Sequence, residues 1–146
     1  MTTNRWVRAG VVAAAFVAGY GFRAATSSDT VAAQTATRVF ELRTYTAPPG
    51  KLEALKTRFR DHTVRIFERL GITNIGYWQP MDSPLSENTL TYLLAYPSRE
   101  AAQKAWAAFR VDPEWTKARA ASEANGPIVA GVTSVFMHPV DFSAIK

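Results

Sequence analysis

Over residues 37–46 the chain alternates with a period of two, Phe40 and Leu42 facing one way and Glu41, Arg43 and Tyr45 the other. At Pro48-Pro49-Gly50 that pattern stops and a helical one begins. A strand turned sharply into an amphipathic helix has few solutions, because the helix must bury its apolar stripe against the sheet the strand belongs to. Leu52, Leu55, Phe59, Thr63, Ile66 and Leu70 supply that stripe across residues 51–70, and Gly71 is the expected C-terminal stop.

The rest of the chain repeats the theme. Residues 72–79 are rich in β-branched and aromatic side chains and read as a strand, residues 80–88 as a polar loop with two prolines, and residues 89–96 as a second strand. In that strand Leu90, Tyr92, Leu94 and Tyr96 share one face, with Leu93 and Ala95 on the other. Ser98 caps a helix over residues 99–109 whose inner face is Ala102, Ala105, Trp106 and Phe109. Asp112-Pro113 restarts a helix, with an acceptor at the cap and proline in the first turn. Asn125-Gly126-Pro127 ends it, and residues 129–138 supply the last strand. The order β-α-β-β-α-β predicts an α+β fold of ferredoxin-like type, a four-stranded antiparallel sheet with helices on one face. Glu41, Arg43, Tyr45, Tyr77, Tyr92 and Tyr96 are expected on the helix-free face, where so much aromatic area calls for a second copy and a dimeric α+β barrel.

Residues 1–33 belong to a different class of segment. Arg5 and Arg8 precede an uncharged apolar stretch too short for a comfortable membrane span, followed by small residues ending at Ala33. This predicts a signal peptide cleaved after Ala33, a domain over residues 34–146, and a periplasmic or secreted location. Arg23 makes an uncleaved membrane anchor the alternative. The segment carries Arg5, Arg8 and Arg23 against Asp29, so the formal charge of +5 falls by 3 − 1 = 2 to +3 without it. The remaining basic residues alternate with acids along helices, which argues against a nucleic-acid partner. With no cysteine, disulfides, thiolate metal sites and a cysteine nucleophile are excluded.

Glu41-Leu42-Arg43-Thr44-Tyr45, Pro49-Gly50-Lys51, Gly76-Tyr77-Trp78, Tyr96, Asp112-Pro113-Glu114-Trp115 and Pro139-Val140-Asp141-Phe142-Ser143 occur in one order over about residues 38–143. In these motifs the chain resembles the NIPSNAP family. The resemblance implies the dimeric α+β barrel superfamily, whose relatives include small monooxygenases, haem-degrading enzymes and dye peroxidases. It implies fold better than function.

Candidate chemistry is sparse. His62 falls at the inner edge of the first helix, where a base or a haem ligand would sit in such relatives, with Tyr45 or Tyr77 as its hydrogen-bond partner. Arg43 is suited to hold a carboxylate, Glu41 to pair with it inside the barrel, and Trp78, Trp106 and Tyr96 to line a ligand pocket. Each also has a structural reading, as core packing or a dimer-interface ion pair. Two histidines, His62 and His138, without metal-ligand spacing predict no metal site, and no cofactor motif is present. The expectation is a homodimer that binds a small apolar ligand. The alternative is a cofactor-free monooxygenase or isomerase using His62.

Overall fold

The computed structural model describes residues 38–146. Strand β1 (Val39–Thr46) leads into α1 (Leu52–Arg58), a π-helical turn (Phe59–Thr63) and α2 (Val64–Arg69). Then come β2 (Thr73–Trp78), β3 (Thr89–Tyr96), α3 (Arg99–Val111), α4 (Pro113–Ser122) and β4 (Gly131–Met137). The strands form one antiparallel sheet in the order β2-β3-β1-β4, the ferredoxin-like arrangement. The proposed signal peptide and its cleavage point lie outside the described residues.

The helix boundaries follow from capping. Asp112 accepts from the backbone N–H groups of Glu114 and Trp115, each at 3.0 Å, with Pro113 in the first turn, and Ser98 accepts from Ala101 at 3.1 Å. At the end of α2, Gly71 stands at φ 77°, its N–H donating to Glu68 O and that of Ile72 to Phe67 O. This pair of bonds is a Schellman closure, which needs a left-handed residue.

The first helix is not the uninterrupted one its periodicity predicts. Between Phe59 and Thr63 one extra residue enters the turn, and Val64 N–H reaches back to Phe59 O. Thr63 Oγ1 donates to Arg58 O at 3.2 Å, satisfying a carbonyl beside the widened turn. Arg58 of this helix is buried despite its charge. It pairs with Glu123 at 2.9 Å and lies over the Trp115 ring, tying α1 to α4.

The alternation of β1 and β3 is as the sequence predicts, but the faces are exchanged. Glu41, Arg43, Tyr45, Tyr77, Tyr92 and Tyr96 point toward the helices, not toward the helix-free side. Tyr92 is stacked on Tyr77 at 5.2 Å and tilted against Phe59 at 5.1 Å, while Phe67 joins Trp106 and Phe109. The physical reason is volume and polarity together. The helices bring bulky aromatic rings to a thick interlayer space, which the large residues of the sheet fill, and their hydroxyls find partners there. Phe40, Leu42, Leu93, Ala95, Val135 and Met137 take the helix-free face, with rows of threonine beside them.

Gly71→Ala tests the closure of α2. Nothing lies within 4 Å of an added Cβ, so the cost is that of the backbone alone. Thermal unfolding should show a loss of about 1 kcal/mol, and an unchanged midpoint would contradict the Schellman assignment.

Candidate functional site

The exchange of faces gives the site its floor. Adjacent positions of β1 and β4 pair Arg43 with Ser134 and Glu41 with Phe136, and β3 places Tyr92 opposite Arg43. The Glu41 carboxylate is almost wholly buried, at 1% exposure. Arg43 Nη1 and Ser134 Oγ both donate to its Oε1 at 2.6 Å, and Tyr96 OH and Trp106 Nε1 both donate to its Oε2 at 2.7 Å. Four donors from β1, β3, α3 and β4 thus converge on one carboxylate. Arg43 Nε in turn donates to Tyr92 OH at 3.1 Å, and its guanidinium lies 4.2 Å from the centre of the Trp106 ring.

The electrostatics follow from this convergence. Burial alone would raise the Glu41 carboxyl, but the bonds from Ser134, Tyr96, Trp106 and Arg43 together hold it below its usual range. Burial and the neighbouring Glu41 carboxylate push the Tyr96 phenol up, so it stays a donor. Burial likewise raises Tyr92 and Tyr77. At neutral pH the network is one carboxylate, one guanidinium and neutral phenols.

Above this floor a cleft of about 500 Å³ opens at the β4 edge of the sheet. Trp106 and Phe109 of α3 and Trp115 of α4 wall it, with Tyr45 and Phe136 at its base and Gln103, Arg110 and Arg119 around it. It lies at this edge because β4 is the most exposed strand. A second cleft of about 340 Å³, lined by Phe59, Arg60, Val64, Tyr77 and Leu90 among others, opens at the β2 edge.

The sequence-predicted residues divide between these places. Glu41, Arg43, Trp106 and Tyr96 come together in one network, of which Glu41, Arg43 and Trp106 line the β4-edge cleft while Tyr96 is fully buried. Tyr45 joins the β4-edge cleft, but Tyr77 lines the other one, its hydroxyl donating to Asn74 Oδ1. Trp78 is on the opposite face of β2 from Tyr77, 53% exposed, with its indole lying against Gly76, and it contributes to the lining of the β2-edge cleft. His62 sits half-buried within the π-helical turn and lines neither cleft. Its ring makes no hydrogen bond among the described residues, so His62, Tyr45 and Tyr77 do not form the set expected of a base with its partner. Also among the described residues, no three His, Asp or Glu side chains stand close enough to hold a metal ion.

Sequence reasoning missed Ser134, Arg110 and Arg119. Ser134 carried a weak signal, a small polar residue inside the Val132–Phe136 run, but its meaning depends on register with β1. The two arginines read as ordinary solvated positions, because nothing in the helical period says that α3 and α4 flank a cleft.

The family model described as NIPSNAP matches residues 40–144. Among solved structures, a NIPSNAP family protein of unknown function from Agrobacterium tumefaciens is similar at 20% identity and a TM-score of 0.66, over 76% of this chain and 96% of that one. An uncharacterized NIPSNAP-like domain protein from Burkholderia xenovorans is 21% identical with a TM-score of 0.64, over 74% and 90% respectively. A cofactor-independent oxygenase from Streptomyces nogalater reaches 14% identity and a TM-score of 0.50, over 76% and 100%. At these identities the likeness is one of fold. No curated protein matches the chain.

Glu41→Gln tests the network. Glu41 is lowered in the folded state relative to about 4.3 in the unfolded chain. Its ionised form therefore contributes stability fully present above the unfolded value and lost as pH falls through the folded one. The variant should lose about 3 kcal/mol at neutral pH. Its stability difference from the parent should shrink as pH falls below about 4. Measured by thermal unfolding across pH, a constant difference would contradict the assignment.

Proposed function

The chain belongs to the NIPSNAP family, within the dimeric α+β barrel superfamily, and from that premise we propose that it is an exported homodimer that binds a small apolar molecule in the β4-edge cleft. The observation that carries the reading is the cleft itself. Its walls are aromatic, its volume suits a small organic molecule, and its floor is fixed by a hydrogen-bonded carboxylate. Binding is favoured over proton-transfer chemistry because Glu41, the only carboxylate lining the cleft among the described residues, is lowered and occupied by four donors. A general base needs a lone pair open to the substrate.

The helix-free face supports the dimer. Leu42, Thr44, Thr91, Leu93, Thr133 and Val135 make a patch without a charged side chain, bordered at Leu93 by the C-terminal residues 138–145, and Trp78 stands exposed at one side. A second copy presents the same uncharged surface about a two-fold axis, so the patch complements itself. The partner residues are thus aliphatic and threonine-rich, not the Glu41, Arg43 and Tyr45 set expected from the sequence.

Sedimentation of the protein at micromolar concentration should show a dimer, and Leu42→Arg should shift it to a folded monomer. A monomeric parent protein would overturn the dimer. Native mass spectrometry after mild purification should find a small organic molecule retained, and retention undiminished by Trp115→Ala would remove the cleft as its site. Cell fractionation with mass measurement of the N-terminus tests export, for which the expected mature end is Gln34.

A further inference from the structure

The polar groups of the β4-edge cleft that already have partners decide what kind of ligand it can take. A carboxylate offers about four acceptor positions, and at Glu41 all are occupied by protein donors. The donors are in the opposite condition. Of the five N–H groups on a guanidinium, Arg43 engages one on Nε with Tyr92 and one on Nη1 with Glu41. The others meet no acceptor among the described residues, although the side chain is only 16% exposed and lines the cleft. Arg110 lines the same cleft and forms no ion pair among the described residues, while Arg119 pairs with Glu123 alone. Three arginines against Glu41 give the cleft a formal charge of 3 − 1 = +2.

We propose that the cleft takes an organic anion, a flat apolar or aromatic body lying between Trp106 and Trp115 with its carboxylate held by Arg43 and drawn in by Arg110. This rests on reading the cleft as a small-molecule pocket and narrows that reading to one class. Guanidinium and carboxylate match in planar, two-pronged geometry, and Arg43 is held over the Trp106 ring, its guanidinium carbon 4.2 Å from the ring centre. Glu41 does not compete, because it takes one Nη1 hydrogen and Tyr92 the Nε hydrogen, which leaves three of the five N–H groups to the cleft. The β2-edge cleft has no buried guanidinium of this kind: Arg60 there is exposed, Lys56 is bonded to Glu53 and Gln79, and the Tyr77 hydroxyl to Asn74.

The test is a titration of the full-length protein, by quenching of tryptophan fluorescence, with naphthoate and with naphthamide, its uncharged isostere. Naphthoate should bind about tenfold more tightly, and the advantage should shrink as salt is raised. Arg110→Gln changes an exposed side chain. It should cut the advantage several-fold and leave naphthamide unchanged, while Arg43→Gln should abolish the advantage. If Arg43→Gln does not fold, Arg110→Gln and the salt series decide the matter. Equal affinities in the parent protein would overturn the anion proposal and leave the apolar pocket standing. Binding of neither compound would overturn both.

Discussion

One buried carboxylate holds the two layers of this protein together. Glu41 accepts from its own strand through Arg43, from β3 through Tyr96, from β4 through Ser134 and from α3 through Trp106. Removing a charge from water is costly, and only several good donors offset it. Because those donors come from separate elements, the bond set is complete only when strand order, register and helix position are all correct. A slip of β4 by one residue would turn Ser134 to the other face. The network therefore specifies an arrangement rather than merely adding stability.

The same network explains why the cleft is polar at its base and apolar in its walls. Arg43 is needed as counter-ion to Glu41 and as a stacking partner for Trp106, so it remains charged, half-buried and only partly bonded. The aromatic residues around it belong to a continuous packed row, from Trp115 through Phe109 and Phe67 to Trp106. The cleft and the core thus draw on the same side chains. A ligand in this cleft would meet a rigid floor and walls that are themselves part of the core, a preorganised arrangement that lowers the ordering cost of binding.

Much of the fold was legible in the sequence because it depends on local signals. The period-two runs, the Asp112-Pro113 restart, the Ser98 cap and the Gly71 stop each act within a few residues, and each stands where those signals put it. The face of β1 was not legible. Alternation says that Glu41 and Phe40 oppose each other, but not which of them meets the helices, and the charged set looked the less suited to a core. What reverses that expectation is Trp106 Nε1 and Tyr96 OH, donors far away in sequence. The π-helical turn was hidden because the stripe residues Leu55, Phe59, Thr63 and Ile66 keep ordinary helical spacings of four, four and three across it. Of the candidate site, the Glu41–Arg43 pair could be joined from the sequence, Trp106 and Tyr96 could be named but not joined to it, and Ser134 and Arg110 acquire meaning only through register and cleft shape.

Glu41 is a buried, ionised carboxylate facing the helices with four donors upon it. A pH titration of the Glu41 side-chain carboxyl carbon by NMR tests this most directly, with Glu41→Gln identifying the resonance. The account predicts a carboxyl that stays ionised to below about 4.3, the value of a glutamate in an unfolded chain, and begins to protonate only as the protein loses its fold. A carboxyl that titrates at or above that value in the folded protein would contradict it.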